Sequence, residues 1–83
     1  MFYLYITYDL NNKFHSIGVT TDMKRRLKIL NMKKEFYKIV YFECFEDSTI
    51  ATKRENEFLR TQKDVICEIV KENNPSLVNL VNI

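Results

Sequence analysis

Apolar and phenolic side chains alternate at the start of the chain. Phe2, Leu4, Ile6 and Tyr8 fall on one face of an extended segment, and Tyr3, Tyr5 and Thr7 on the other. The pattern predicts a strand over residues 2–8 with one apolar face and one that carries phenols. Asp9-Leu10-Asn11-Asn12-Lys13 supplies turn residues, so residues 14–19 are expected to fold back as an antiparallel second strand. Alternation along that strand directs His15 to the face of Ile17 and Val19, opposite Ser16, and only a bulge would bring it across. The single glycine, Gly18, lies where the second strand gives way to a helix, a place suited to a bulge or a close backbone approach.

The period then lengthens. Thr20 or Thr21 can cap the first free N–H groups of a helix, with Asp22 set against its dipole. Met23, Leu27 and Leu30 form the apolar stripe of that helix. At about 100° per residue, Arg26 falls at the edge of the stripe beside Leu30, while Lys24 and Arg25 point away. Residues 36–45 are rich in aromatic and β-branched types and read as a third strand, expected to be the most buried. Glu46-Asp47-Ser48 offers turn and cap chemistry for a second helix over residues 48–60. A third helix over residues 61–71 turns Val65, Ile66, Ile69 and Val70 inward, and Asn73-Asn74-Pro75 stops it. In the tail, residues 76–83, Leu77, Val78, Leu80 and Val81 are expected to pack against the sheet.

Three strands and three helices in 83 residues make one small α+β domain spanning residues 1–83. A hydrophobic fraction of 46%, with 13% aromatics, argues for a packed core and against a disordered chain. Cys44 and Cys67 lie far apart without a partner motif and read as reduced, mostly buried thiols; with one histidine they make no zinc set. No signal peptide or membrane-length apolar run is present, so a cytoplasmic location away from membranes is expected. The net charge of +2 conceals a division: residues 1–42 sum to +5 and residues 43–83 to −3. The run Lys24, Arg25, Arg26, Lys28, Lys33, Lys34 is either a solvated face or a patch that attracts phosphates.

Glu55 stands out in the acidic half. Ala51, Glu55 and Leu59 form one helical row, which puts a carboxylate on the packed side, a costly arrangement unless an arginine or a metal ion meets it. Glu57, turned about 200° away, reads as an ordinary surface acid.

The order of these features resembles a compact GIY-YIG nuclease domain. A phenol-bearing hairpin leads into the helix of "IGVTTDMKRRL" (residues 17–27). There follow the strand "YKIVYFE" (37–43), the helix "ATKRENEFL" (51–59), and Asn74-Pro75, over nearly the whole chain. The resemblance implies a three-stranded antiparallel sheet flanked by about three helices and a divalent-metal-dependent endonuclease acting on DNA, duplex or branched, as a monomer or weak homodimer. It implies that the phenol of Tyr5 helps to deprotonate the attacking water, and that Glu55 holds a single Mg2+ or Mn2+. Arg26, ten residues beyond Ser16, would bind the scissile phosphate. Asn79, a few residues past Pro75, corresponds to an asparagine near the metal. Lys24, Arg25 and Lys28 would contact backbone phosphates. Two positions depart from the family pattern: Ser16 stands where the second motif has tyrosine, and Leu30 where relatives frequently have histidine. Both losses remove groups that move protons, and they leave open an alternative, a nucleic-acid-binding module of this fold without nuclease activity.

Overall fold

β1 (Phe2–Asp9) is the middle strand of a three-stranded antiparallel sheet, with β2 (Phe14–Thr20) on one side and β3 (Tyr37–Phe45) on the other. Three helices complete the α+β fold: α1 (Met23–Leu30), followed by one 3₁₀ turn at Asn31–Lys33, α2 (Ser48–Leu59) and α3 (Lys63–Asn73). The computed structural model describes residues 1–33 and 35–81; Lys34 of the basic run and residues 82–83 of the tail lie outside them.

The most buried strand is β1, and not β3 as its composition led one to expect. Leu4, Ile6 and Tyr8 face α2 and α3, packing with Val40, Phe58, Ile66 and Val70; Tyr5 faces α1, packing with Leu27, Ile39 and Val81. A central strand covered on both faces cannot be half-solvated, whereas β3 is an edge whose outer half alternates toward water. The thiols divide as well. Cys67 is half-buried on α3, but Cys44 is exposed because it lies in that outer half, and neither forms a disulfide.

Local chemistry sets the element boundaries. The Asp9 carboxylate accepts from the N–H groups of Asn11 and Lys13 at 2.8 and 3.0 Å and so closes the β1–β2 turn, with Asn12 at φ 61°, a conformation asparagine tolerates. Asp22, one position beyond the expected threonines, caps α1 by accepting from Arg25 N–H at 3.1 Å, while Thr20 remains in β2 and accepts from Asp22 N–H at 3.2 Å. Asp47 caps α2 through Thr49 N–H at 2.7 Å.

The tail is held by asparagines more than by its apolar residues. Val78 and Leu80 are exposed, in contrast to the expected packing, and only Val81 is buried, with Leu77 partly so. The β1–β3 register shifts between Ile6 and Thr7, leaving Val40 as an extra residue in β3. Buried Asn74 donates to the Val40 carbonyl at 3.1 Å and clasps the backbone of Val78 through both amide atoms. Asn79 then accepts from Ile39 N–H at 3.1 Å, and Leu80 N–H donates to the Ile39 carbonyl at 2.9 Å, so the tail covers part of the β3 edge. Asn74→Ala should therefore cost about 1–3 kcal/mol in urea unfolding, because a buried carbonyl loses its donor. Asn79→Ala, at an exposed position, should cost less; the reverse order would mean that the bulge does not depend on Asn74.

Candidate active site

Tyr5 occupies the centre of β1, directly opposite Gly18 of β2. Its ring lies across the glycine backbone: a Cβ at position 18 would stand 2.6 Å from the Tyr5 Cζ and 2.9 Å from Cε1, and closer still to the hydroxyl oxygen. The phenol thus reaches over the edge strand, which only a residue without a side chain permits. Burial pushes the Tyr5 phenol above its usual range, the Arg26 guanidinium draws it back and the Glu55 carboxylate pushes it further up. One hydroxyl, held by the sheet, therefore stands in the fields of a cation from α1 and an anion from α2. With its pKa raised, it is a protonated phenol near neutral pH.

Arg26 is half-buried between Leu27, which is fully buried, and the rest of the α1 stripe, as its angular position predicts; Lys24, Arg25 and Lys28 are exposed. Arg25 and Arg26 nonetheless line one cleft of about 260 Å³ at the start of α1, together with Thr20, Thr21, Asp22 and Ile29. Among the described residues the side-chain ion pairs join Arg54 to Glu43 at 2.9 Å and to Glu57 at 3.1 Å, so the cations of α1 carry no carboxylate partner.

The same pairing decides how Glu55 is to be read. Arg54, which also lies 4.6 Å from the ring centre of Phe58, is taken by Glu43 and Glu57. Partial burial works against the Glu43 charge, but hydrogen bonds from Arg54 and Tyr41 outweigh it and hold that carboxyl below its usual range. The Tyr41 phenol is pushed up to about 12 by burial and by Glu43. Glu55 has no cation within bonding distance among the described residues. Its row departs from the expected one: Ala51 is fully buried, but Leu59 is 62% exposed and Phe58 takes the inner place, so Glu55 sits half-buried on the flank of the packed face.

Ser16 pairs with Thr7, on the face that carries Tyr5, and Phe14 pairs with Tyr8; the register shift between them makes His15 the extra residue of a bulge. Alternation is broken there, and His15 does not join Ile17 and Val19. Its Nδ1 lies 3.1 Å from the Thr7 hydroxyl and 3.1 Å from that of Ser16, and the two hydroxyl oxygens are 2.6 Å apart. The imidazole stacks on Tyr37 with ring centres 3.9 Å apart. Neither the bulge nor Thr7 has a signal in residue type alone; both emerge only when the pairing is counted back from Tyr5 and Gly18. Asn79 stands apart, its amide bonded to the backbone of Ile39 and Val81, and it meets the site through Val81, which packs with Tyr5.

No three His, Cys, Asp or Glu side chains gather into a metal cage among the described residues. A single free carboxylate suits a hard cation that keeps most of its waters and takes further oxygens from a phosphate, and does not suit zinc. No helix among these residues is long and apolar enough to cross a membrane. Compared with known proteins, the chain matches no family model, no curated protein and no solved structure.

Proposed function

We propose that the chain is a magnesium- or manganese-dependent endonuclease that hydrolyses DNA phosphodiester bonds, as its resemblance to GIY-YIG nucleases implies. The observation that carries this reading is the Tyr5 hydroxyl, laid over Gly18 within reach of the charges of both Arg26 and Glu55. Glu55 would hold the cation, which supplies charge neutralisation at the phosphate when bound. The protonated Tyr5 phenol orients a water by hydrogen bonding. The Arg26 guanidinium binds a phosphate oxygen in a forked geometry and opposes the charge that develops there in displacement. Lys24, Arg25 and Lys28, exposed and unpaired among the described residues, meet neighbouring phosphates of the duplex. The alternative, a binding module without turnover, is favoured by two features, the hydroxyl of Ser16 where a phenol would assist and Leu30 where relatives frequently have histidine.

Nicking of supercoiled plasmid with and without magnesium tests the reading. Nicking that requires the metal supports it, whereas tight duplex binding without nicking favours the module. Binding and chemistry separate among the basic residues. Changing Lys24, Arg25 and Lys28 to alanine should weaken duplex association and reduce its salt slope by about 0.9 per lost phosphate contact. Arg26→Ala should keep association and lose turnover in a single-turnover assay. A triple variant that binds with the parental affinity and salt slope would make the basic face a solvated surface.

A further inference from the structure

The nuclease reading leaves one role unassigned. A phenol held protonated by burial is a poor proton acceptor, and a serine hydroxyl is no better by itself. The bulge in β2 supplies what both lack. Thr7 is fully buried, its hydroxyl 2.6 Å from that of Ser16, and Ser16 in turn lies 3.1 Å from His15 Nδ1. A consistent assignment has Thr7 donating to the Ser16 oxygen and Ser16 donating to Nδ1, with the imidazole proton on Nε2. Ser16 and Gly18 share a face of β2, two residues or about 7 Å apart, and the Tyr5 phenol rests on Gly18. A water held at the Ser16 hydroxyl therefore lies on the face of the sheet that carries the phenol. The stack on Tyr37, itself hydrogen-bonded to Glu35, fixes the imidazole plane, while His15 as a whole remains exposed.

We propose that His15 is the proton acceptor of the hydrolysis and acts through the Ser16 hydroxyl; the proposal rests on the nuclease reading and names the base for it. The attacking water gives a proton to Ser16 Oγ as the Ser16 hydroxyl proton passes to His15 Nδ1. The water oxygen forms its bond to phosphorus, the bond from phosphorus to the leaving oxygen breaks, and the leaving oxygen takes a proton from solvent. The exposed imidazolium then releases its proton to solvent, and the chain of hydrogen bonds is restored. Thr7, donating to Ser16 Oγ, steadies the negative charge that passes through that oxygen. His15 is a positioning residue in the sense that it meets the water only through Ser16.

The test uses two variants of the full chain with magnesium present, alongside thermal unfolding. His15→Asn keeps a hydrogen-bonding atom near the place of Nδ1 but cannot take a proton, so single-turnover cleavage should fall about 100-fold or more while the unfolding midpoint holds. His15→Ala should fall at least as far and recover in part when imidazole is added to the buffer, a recovery that a merely structural histidine would not give. Cleavage by His15→Asn at the parental rate, or no effect of imidazole on His15→Ala, overturns the proposal and leaves the nuclease reading standing. A parent protein that does not cut DNA with magnesium overturns both.

Discussion

Gly18→Ala should all but abolish cleavage and lower stability, although it adds a single methyl group to a strand. The new Cβ would stand 2.6 Å from the Tyr5 Cζ, inside any van der Waals limit, so the ring must leave its place over β2. It cannot tilt freely, because Leu27, Ile39 and Val81 close the other side of it. Overpacking of this kind costs about 1–3 kcal/mol. If the Tyr5 hydroxyl orients the attacking water, misplacing it by about 1 Å costs about 100-fold in rate, and restoring an ordinary contact of 3.4 Å from 2.6 Å asks for a shift of about that size. The contact can be isolated by a cycle. In a Tyr5→Ala background the same Gly18→Ala change should cost almost nothing in urea unfolding, because the atoms it strikes are gone, and the coupling should fall at about 1–3 kcal/mol. Additive losses, or a Gly18→Ala variant that cuts at the parental rate, would mean that the phenol is not anchored on Gly18.

The hairpin, the three helices and their stops were legible because each rests on a local period or a cap: alternation through Tyr8, the stripe at Met23 and Leu27, the halt at Asn73. What sequence could not supply was anything that depends on pairing between distant segments. Composition made residues 36–45 look like the core strand, but the order of strands puts β1 in the middle and sends Cys44 to water. The i to i+4 row from Ala51 put Glu55 on the packed side of α2, but α2 lies against the strands so that Phe58 and not Leu59 fills the inner position, and Glu55 sits half-buried on the flank. His15 was the largest miss. A bulge is a property of register, and nothing in Phe14-His15-Ser16 declares one; the shift follows only from the pairs Thr7 with Ser16 and Tyr8 with Phe14. The asparagine tail was misread for a related reason, since Asn74 and Asn79 act on backbone groups that come near only in the folded chain. For the candidate site, Tyr5, Arg26 and Glu55 were each named from the chain. That the charges of Arg26 and Glu55 both act on the Tyr5 hydroxyl required the structure.

Glu55→Gln should separate a functional carboxylate from a structural one. The substitution keeps volume and shape but removes the charge that a hard cation needs, and among the described residues no cluster of three acidic, histidine or cysteine side chains could substitute for it. If the cation contributes the several kcal/mol of charge stabilisation usual for such sites, cleavage should fall about 1,000-fold or more. Stability should move the other way or not at all. Glu55 is half-buried and has no ion-pair partner among the described residues, so an amide in its place loses no salt bridge and escapes the desolvation of a charge. A residue kept for the fold would show the opposite, a lower unfolding midpoint with activity falling in proportion. Binding can be read without turnover as well. Magnesium should raise the thermal midpoint of the parent protein by mass action and leave that of Glu55→Gln unchanged. Equal shifts in the two proteins would place the cation elsewhere. Full cleavage by Glu55→Gln, or by the parent in excess chelator, would end the one-metal reading, because the carboxylate whose charge acts on the Tyr5 hydroxyl would then have no part in the chemistry.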